Sequence, residues 1–302
     1  MKQSLILLIN LLVQVVALAQ PATSVNTASQ STTGPVMSET APRQPKATES
    51  PVYIKLYGLY GLLTPGVQIS HSELQSPDGT VFIFKTANKG IGAGPRAGAG
   101  LGFIVSDFIN LGIDADVLFG TALEVDDNYG SDSYTYTNST TTTLKVLSII
   151  PNITFKALSR PAYYIYNRLG LVGGIVLDYK IINNGLGLYD FGLTATDMAT
   201  TNYTKNTLAL GYQAALGIQF RLSQRLRGFA EVVAYNQSFK PKRLEVSSTN
   251  TFGEDITTNF ATIELTDQGS NVSATSTQTG QLQRFNVAMN SVGVGVGLSF
   301  RF

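Results

Sequence analysis

Cysteine and tryptophan are absent from this chain of 302 residues, and charged residues make up only 14% of it. Without cysteine the chain has no disulfide, no thiolate nucleophile and no cysteine ligand for a metal. Soluble domains carry about 25% charged residues, so this fraction is low for one. The 21 basic residues nearly cancel the 20 acidic residues, which gives no electrostatic reason to expect a nucleic-acid partner.

Long apolar runs are also missing, so we expect no transmembrane helix. The run from Leu5 to Val16 is short and is interrupted by polar residues. It follows a lysine and precedes Ala-Leu-Ala at 17–19, an order that predicts a cleaved signal peptide over residues 1–19. Residues 20–50 are rich in Pro, Ser and Thr, which predicts a disordered linker.

What the chain does have is an apolar residue at every second position, clearest in SVGVGVGLSFRF at its end. Period two is typical of a strand with one apolar face. Eight such segments follow residue 51, and each is longer than the average globular strand of about 5–6 residues. We therefore predict an all-β fold over 51–302: a membrane-spanning, antiparallel, up-and-down barrel of eight strands. Ten strands are the alternative, if GTVFIFKTA and NFATIEL are counted; we interpret both as extensions above the membrane.

The connections between the predicted strands alternate in length. Tight turns at SDFI, SRPA and SQR alternate with long loops rich in Ser, Thr and Asn. Short turns at one end and long loops at the other are typical of bacterial outer-membrane barrels. This pattern predicts an outer-membrane location, with outer-membrane lipid and lipopolysaccharide as surroundings.

The same alternation sorts the charged residues to the inside of the barrel. Buried charges must be paired, so we interpret the inward set as a structural network that fills a narrow lumen. Glu231 lies on the same face of its strand as Phe229 and Tyr235. We place this face inward, because a carboxylate that faces lipid costs more free energy than aromatic rings inside the lumen. The predicted network is Lys55, Arg96, Asp114, Asp116, Arg168, Asp178, Arg221, Glu231 and Arg301.

Two further expectations concern the strands themselves. Outward aromatics near the strand ends predict interface girdles, with Tyr60, Phe119 and Tyr179 toward the long loops. Pro95 and Pro151 lie inside predicted strands, and because proline cannot donate to the ladder we expect bulges there.

Three segments carry a family resemblance: GAGPRAGAGLGF with a short turn and NLGIDADVLFG, then LGYQAALGIQFRLS, then GVGVGLSFRF. Over 51–302 the chain resembles the small bacterial outer-membrane β-barrel proteins of the OmpA membrane-domain and OmpX type. The resemblance implies that the C-terminal aromatics, Phe302 with Phe300, are an assembly signal read by the barrel-assembly machinery.

Three functions remain open at this point. The first is a non-enzymatic barrel that displays surface loops for adhesion or partner binding, or supports envelope integrity, with an unknown surface ligand. The second is a small pore, and the third is an enzyme that modifies lipid A or cleaves peptides. We expect no catalytic residue, cofactor or metal.

The motifs that favour an enzyme or a ligand have simpler interpretations. His71 is the one histidine, and its segment predicts a solvated loop rather than a nucleophile–base pair. Asp126 and Asp127 are interpreted as a solvated turn rather than a cation site. The glycines from Gly92 to Gly102 repeat every second residue, whereas a dinucleotide fingerprint requires a helix to follow.

Overall fold

A computed structural model describes residues 51–64, 71–75, 82–86, 90–131, 134–160, 162–190, 192–267 and 279–302. The predicted signal peptide and linker lie outside the described residues. Nowhere in the described ranges is there a helix with the length and hydropathy needed to cross a membrane.

The described residues form sixteen β-strands. In chain order they are β1 (Val52–Leu63), β2 (His71–Gln75), β3 (Phe82–Thr86), β4 (Gly94–Ile104), β5 (Ile109–Phe119), β6 (Leu123–Ser131), β7 (Tyr134–Ser159), β8 (Tyr163–Tyr189), β9 (Thr194–Asn206), β10 (Ala209–Arg221), β11 (Leu226–Phe239), β12 (Pro241–Phe252), β13 (Asp255–Thr266), β14 (Gly280–Gln283), β15 (Val287–Ala288) and β16 (Ser291–Arg301).

Eight of these strands close on themselves. The order is β1–β4–β5–β7–β8–β10–β11–β16, all neighbours are antiparallel, and β16 pairs with β1 to complete the circle. We call these eight strands the ring. A closed eight-stranded sheet has an interior just wide enough to be filled by side chains. The eight ring strands coincide with the eight segments predicted from the sequence, but the total number of strands is larger than predicted.

The additional strands lie mainly at one end of the ring. Strands β7 and β8 are 26 and 27 residues long, so they run on past their ring partners. There they join a sheet in the order β6–β7–β8–β9–β12–β13–β14, in which only the last pair is parallel. We call this the extension sheet. NFATIEL lies in β13 and so belongs to the extension sheet. The GTVFIFKTA segment contributes β3, which pairs with β2 in a separate sheet of the described residues.

Three tight turns lie at the opposite end of the ring. In the first, Ser106 Oγ accepts hydrogen bonds from the backbone N–H groups of Phe108 and Ile109. In the third, Ser223 Oγ accepts one from the N–H of Leu226. A serine hydroxyl that caps a turn in this way satisfies donors that the ladder leaves unpaired. The start of β1 and the end of β16 lie at this same end, where Tyr53 pairs with Arg301.

The two faces of the ring differ in chemistry. The outer face exposes large apolar side chains, and the inner face buries polar and charged ones. Members of the outer face that are at least half exposed include Leu56, Leu62, Leu101, Ile113, Leu171, Ile175, Leu210, Leu216, Val232, Val296 and Leu298.

One bulge corrects two of the predictions. Lys145 of β7 pairs with Asp178, but the next residue, Val146, pairs with Val176. Leu177 is therefore an extra residue, and the parity of β8 reverses beyond it. As a result Asp178 is exposed and Tyr179 is buried, so both the inward placement of Asp178 and the outward placement of Tyr179 were wrong.

The expected bulges at the two prolines are absent. Pro95 pairs with Tyr60 and Pro151 pairs with Ile113 without a register shift. On its other side, the β7–β8 ladder omits Ile150 and Pro151 but resumes in the same register. Both prolines point outward and are exposed. The strands tolerate them without a change of register.

Candidate functional site: the interior of the ring

The interior of the ring has three layers along its axis. A network of ion pairs occupies the middle, an apolar cluster lies toward the extension sheet, and a cavity lies toward the tight turns. We call these the charge network, the apolar cluster and the basic cavity, and define each by its residues below.

Arg168 is the centre of the charge network. Its Nη1 donates to Asp114 Oδ2 at 2.7 Å and to Gln213 Oε1 at 3.1 Å. Its Nη2 donates to Glu231 Oε1 at 2.5 Å. Lys55 Nζ donates to the same Asp114 oxygen at 2.6 Å, so two cations share one carboxylate.

Asp116 forms the second half of the network. It accepts hydrogen bonds from Arg96 Nη1 at 3.2 Å, from the Tyr235 hydroxyl at 2.8 Å and from the Tyr57 hydroxyl at 3.4 Å. The Arg96 guanidinium also lies over the Tyr235 ring, 4.1 Å from its centroid. Gln213 Nε2 donates to the Tyr235 hydroxyl at 2.8 Å, which joins the two halves into one network.

The network is balanced in charge and buried. It holds three cations and three carboxylates, contributed by β1, β4, β5, β8 and β11. Arg96, Asp114, Asp116 and Arg168 are at most 2% exposed. Removing one partner of such a pair typically costs about 3–5 kcal/mol, because the other charge is left buried without compensation.

Glycines let the network's side chains meet across a strand. Lys55 pairs with Gly100, and Gly100 pairs with Asp114, so the lysine reaches the carboxylate over a residue without a side chain. A Cβ at Gly100 would overlap both the Asp114 carboxylate and the Lys55 chain. The glycine is required by this close approach.

The same arrangement recurs twice. Tyr57, Gly98 and Asp116 share one row of the sheet, and Tyr166, Gly217 and Glu231 share another. In the second of these the Tyr166 hydroxyl donates to Glu231 Oε2 at 3.0 Å. Each row therefore reads donor, glycine, carboxylate, and we call the three rows the donor–glycine–acid rows.

The structure brings together six of the nine residues predicted for the network. These are Lys55, Arg96, Asp114, Asp116, Arg168 and Glu231. Arg221 has the inward parity but ends its strand and is exposed, which corrects its predicted place, as the bulge corrects that of Asp178. Arg301 is half-buried and lines the basic cavity instead.

Among the polar partners, the sequence placed Gln213 and Tyr235 inward but gave them no part in the network, and Tyr57 and Tyr166 were not singled out. The available signal was their parity, since each lies an even number of residues from a charged residue on its own strand. Hydrogen-bond partners of buried charges are expected in a narrow interior.

The apolar cluster closes the interior toward the extension sheet. Its ring members Leu118, Leu144, Val146 and Phe239 are at most 1% exposed, and Met289, from the connection before β16, is fully buried among them. Tyr179 stacks on Tyr203 of β9 with ring centroids 4.2 Å apart and meets Phe239 edge-on at 5.5 Å. Among the described residues, the buried charged side chains belong to the charge network and not to this layer.

The basic cavity has a volume of about 480 Å³ and opens toward the tight turns. Lys55 and Arg168 of the charge network form its inner end. Nearer the opening it is lined by Lys156 of β7, Arg227 of β11 and Arg301 of β16. Tyr164 lies between two of these cations: its ring centroid is 5.3 Å from Lys156 Nζ and 5.8 Å from Arg227 Cζ.

The remaining sequence candidates lie elsewhere. His71 begins β2, and its side chain and Ser70 are outside the described residues, as is the Asp127 side chain; Asp126 is exposed. Gly94 to Gly102 lie within β4, and no helix follows them. Within the described ranges no three acidic or histidine side chains form a group suited to a metal ion.

The predicted assembly signal lies on the outer face of the last strand. Phe300 and Phe302 are 42% and 55% exposed, and their rings meet edge-on with centroids 5.5 Å apart. Their role in assembly stays a prediction.

No family model matches the chain, and no curated protein matches it. Among solved structures, CarO of Acinetobacter baumannii is 12% identical, with 83% of this chain and 98% of that chain covered and a TM-score of 0.29. CarO2 of the same organism is 13% identical, with 84% and 99% covered and a TM-score of 0.30. The outer membrane channel DcaP of Acinetobacter baumannii is 8% identical, with 83% and 96% covered and a TM-score of 0.10. TM-scores this low support no conclusion about this chain, and its architecture rests on its own strand pairing.

Proposed function

We propose that this chain is a non-enzymatic β-barrel of the bacterial outer membrane, whose closed interior supports the extension sheet at the cell surface for partner binding. The observation that carries the proposal is the exposed apolar outer face around a ring with a buried charge network. The likeness to the OmpA and OmpX type remains part of the proposal.

The membrane part of the proposal is supported by the outer face of the ring. Leu171, Val296 and Leu56 are 70%, 64% and 63% exposed, and they belong to different strands of a continuous band. Exposed apolar patches of this extent are rare on soluble monomers. Lipid is the solvent that favours such a band, and a closed ring is the form of sheet that lipid tolerates.

The absence of a channel is supported by the two filled layers. The charge network crosses the axis from β1 and β5 to β8 and β11, and the apolar cluster lies above it. An ion would have to break paired charges and then cross a layer of buried apolar side chains, and both steps are costly.

The surface role is supported by the extension sheet. Ile256 and Phe260 are both 70% exposed. They belong to β13 of the extension sheet, so their exposure is separate from the apolar outer face of the ring. Large apolar side chains that stay exposed on a polar sheet are typical of contact sites.

Planar-bilayer recordings of purified, refolded protein test the closed interior. We expect no steady conductance, or only brief and rare events, together with a folded band that shifts on heating in an unboiled gel. A stable open state that passes small solutes would instead favour the pore. A heat-shifted band without conductance separates a folded, closed barrel from a protein that failed to insert.

A further inference from the structure

We propose that a notch in the outer wall, where the ring meets the extension sheet, binds the phosphorylated headgroup of lipid A. The notch is lined by apolar residues on the side of the ring and by lysines on the side of the extension sheet. The inference rests on the proposed function for its membrane orientation, and it adds a ligand that the proposed function does not name.

A gap between two ladders forms the notch. Strand β8 pairs with β10 as far as Gly174, which faces Ala209, and it pairs with β9 from Lys180, which faces Asn202. Residues 175–179 of β8 therefore lie beside the link from β9 to β10 with no ladder joining them in the described pairing. The notch at this gap has a volume of about 900 Å³, within the usual range of about 300–1,000 Å³ for small-molecule sites.

The ring side of the notch is apolar and faces outward. Ile175, Leu208 and Leu210 line it and are 53%, 60% and 62% exposed. Ile175 and Leu210 belong to the outer face of the ring, so in the proposed orientation this side meets the acyl chains of the membrane. Contact with an acyl chain removes apolar surface from water on both partners.

The opposite side of the notch carries three lysines. Lys205, Lys240 and Lys242 line it, and all three are exposed. Among the described residues, none of them takes part in an ion pair, and no acidic residue lines the notch. The lining therefore has three positive charges and no negative one.

Two exposed carboxylates lie close by along the same strands without lining the notch. Asp178 belongs to the bulge of β8 and pairs with Lys145 on the far side of that strand. Glu245 is 3.7 Å from Arg243, with which it forms an ion pair. Neither of them offsets the charge of the three lysines inside the notch.

A second bulge places two of the lysines side by side. Pro241 of β12 pairs with Asn206 of β9, but the next pair is Arg243 with Lys205. Lys242 is therefore an extra residue opposite the Asn206–Lys205 step, and its backbone lies next to that of Lys205. Bulges of this kind redirect a side chain.

The third lysine is held at the other end of the same link. The Lys240 N–H donates to Thr207 Oγ1 at 2.8 Å, and the Lys240 carbonyl accepts a hydrogen bond from the Thr207 N–H at 2.9 Å. Lys240 and Lys242 are exposed on either side of the buried Pro241, so they share one face of the chain. All three lysines are thus fixed at backbone positions around one gap.

This combination suits a phosphorylated lipid. A lysine binds phosphate as a point charge, and lysines at a membrane surface attract anionic lipid headgroups. The notch lies where the apolar outer face ends, which in the proposed orientation is the headgroup level of the outer leaflet. Lipid A carries phosphates on a sugar headgroup above several acyl chains, so its phosphates would meet the lysines while a chain lies along Leu208 and Leu210.

The test is a titration of the detergent-refolded protein with lipid A, followed by native mass spectrometry, which counts the lipids bound to each chain. We expect one lipid A to bind saturably, and dephosphorylated lipid A to bind at least tenfold more weakly. Lys205→Gln, Lys240→Gln and Lys242→Gln should each weaken binding about fivefold. The matched control is Lys145→Gln, which removes an exposed lysine of β7 that does not line the notch and should leave the affinity unchanged.

Four results would overturn the proposal. Equal losses in the Lys145 variant and the notch variants would indicate general attraction to the basic surface, and equal binding of dephosphorylated lipid A would exclude recognition of phosphate. Displacement of lipid A by millimolar inorganic phosphate would indicate a site for free anion. Phosphatidylglycerol that binds as tightly as lipid A would indicate a site for any anionic lipid.

The heat-shifted gel band separates a failure of this inference from a failure of the proposed function. A protein that shows the band and binds no lipid A would overturn the lipid site alone. A protein that shows no band in micelles would contradict the membrane barrel itself. Each lysine variant is checked for the same band, and if one fails to fold, the other two carry the test.

Discussion

The ring and the extension sheet share strands β7 and β8, but these strands have different surroundings in the two regions. In the ring, β8 exposes Leu169 and Leu171 on one face and buries Arg168 on the other. Beyond the bulge, the same strand runs beside the Thr-rich β7 and β9. In the ring one face of the strand is apolar and the other is buried, whereas in the extension sheet both faces carry many polar residues. A strand's sequence therefore reports its surroundings as much as its conformation.

The two regions also hold their ion pairs differently. In the charge network, Arg96 and Asp116 have fully buried side chains 3.2 Å apart. In the extension sheet, Arg243 and Glu245 are 3.7 Å apart with side chains 33% and 49% exposed. A buried pair loses much if one partner is removed, whereas an exposed pair contributes about 0–1 kcal/mol.

The largest expected effect comes from breaking the network at its centre. Arg168→Gln removes the cation that bridges Asp114 and Glu231, so we expect the free energy of unfolding to fall by about 3–5 kcal/mol. Arg243→Gln in the extension sheet is the matched control and should change it by less than about 1 kcal/mol. Urea unfolding in lipid vesicles measures both, and equal losses would show that burial does not distinguish the two regions.

A smaller effect is expected from filling a donor–glycine–acid row. A Cβ at Gly217 would lie 2.5 Å from Cζ of Tyr166, so Gly217→Ala should displace that ring and cost about 1–3 kcal/mol. Gly173→Ala is the control, because the nearest atom to its added Cβ is a backbone oxygen 4.0 Å away on the outer side. The same unfolding assay applies; a Gly173 variant that loses as much would point to strand propensity instead of the clash.

Deleting Phe302 should affect assembly rather than the finished ring. The residue lies beyond the last strand and is 55% exposed, so refolding into detergent micelles should be unchanged. The amount of folded protein in outer membranes should fall several-fold, as measured by the heat-shifted gel band. Phe302→Tyr keeps an aromatic residue and should assemble normally; full membrane levels of the truncated chain would contradict a role in assembly.

The smallest effect on stability is expected at the exposed apolar face of the extension sheet. Phe260→Ser removes a ring that is 70% exposed, so the unfolding free energy should change by less than about 0.5 kcal/mol. The proposed role of the extension sheet in partner binding predicts that adhesion of whole cells displaying this variant should fall. The control is Ser247→Ala on the paired residue of β12. A large loss of stability would instead mean that Phe260 supports the sheet.

The sequence predicts which side chains of the ring face inward and which face outward. It does not predict the register between neighbouring strands. Period two assigns Asp114 and Asp116 to the interior, because only one parity keeps both out of lipid. It cannot reveal that Lys55 and Asp114 lie in one row on either side of Gly100, since pairing over 59 residues depends on every turn between them. Nor does it reveal the bulge at Leu177, where one added residue reverses the parity that follows.

The extension sheet was the least predictable region. Its strands are rich in Thr and Ser on both faces, so they resemble polar loops when the search is for alternation. The apolar cluster was missed for a related reason. Met289 and Ile91 come from connections, and nothing local indicates that they fold back into the ring.

The continuous β7–β8 pair has a mechanical consequence. From Tyr134 to Lys145 the pair runs twelve residues past the bulge in one ladder, which corresponds to a rise of roughly 40 Å. Each strand passes from the wall of the ring into this stalk without a break in secondary structure, and the bulge at Leu177 marks the junction. In the proposed orientation, a partner that binds the end of the stalk is held at a fixed height above the lipid. A pull on the stalk is transmitted directly into the wall of the ring.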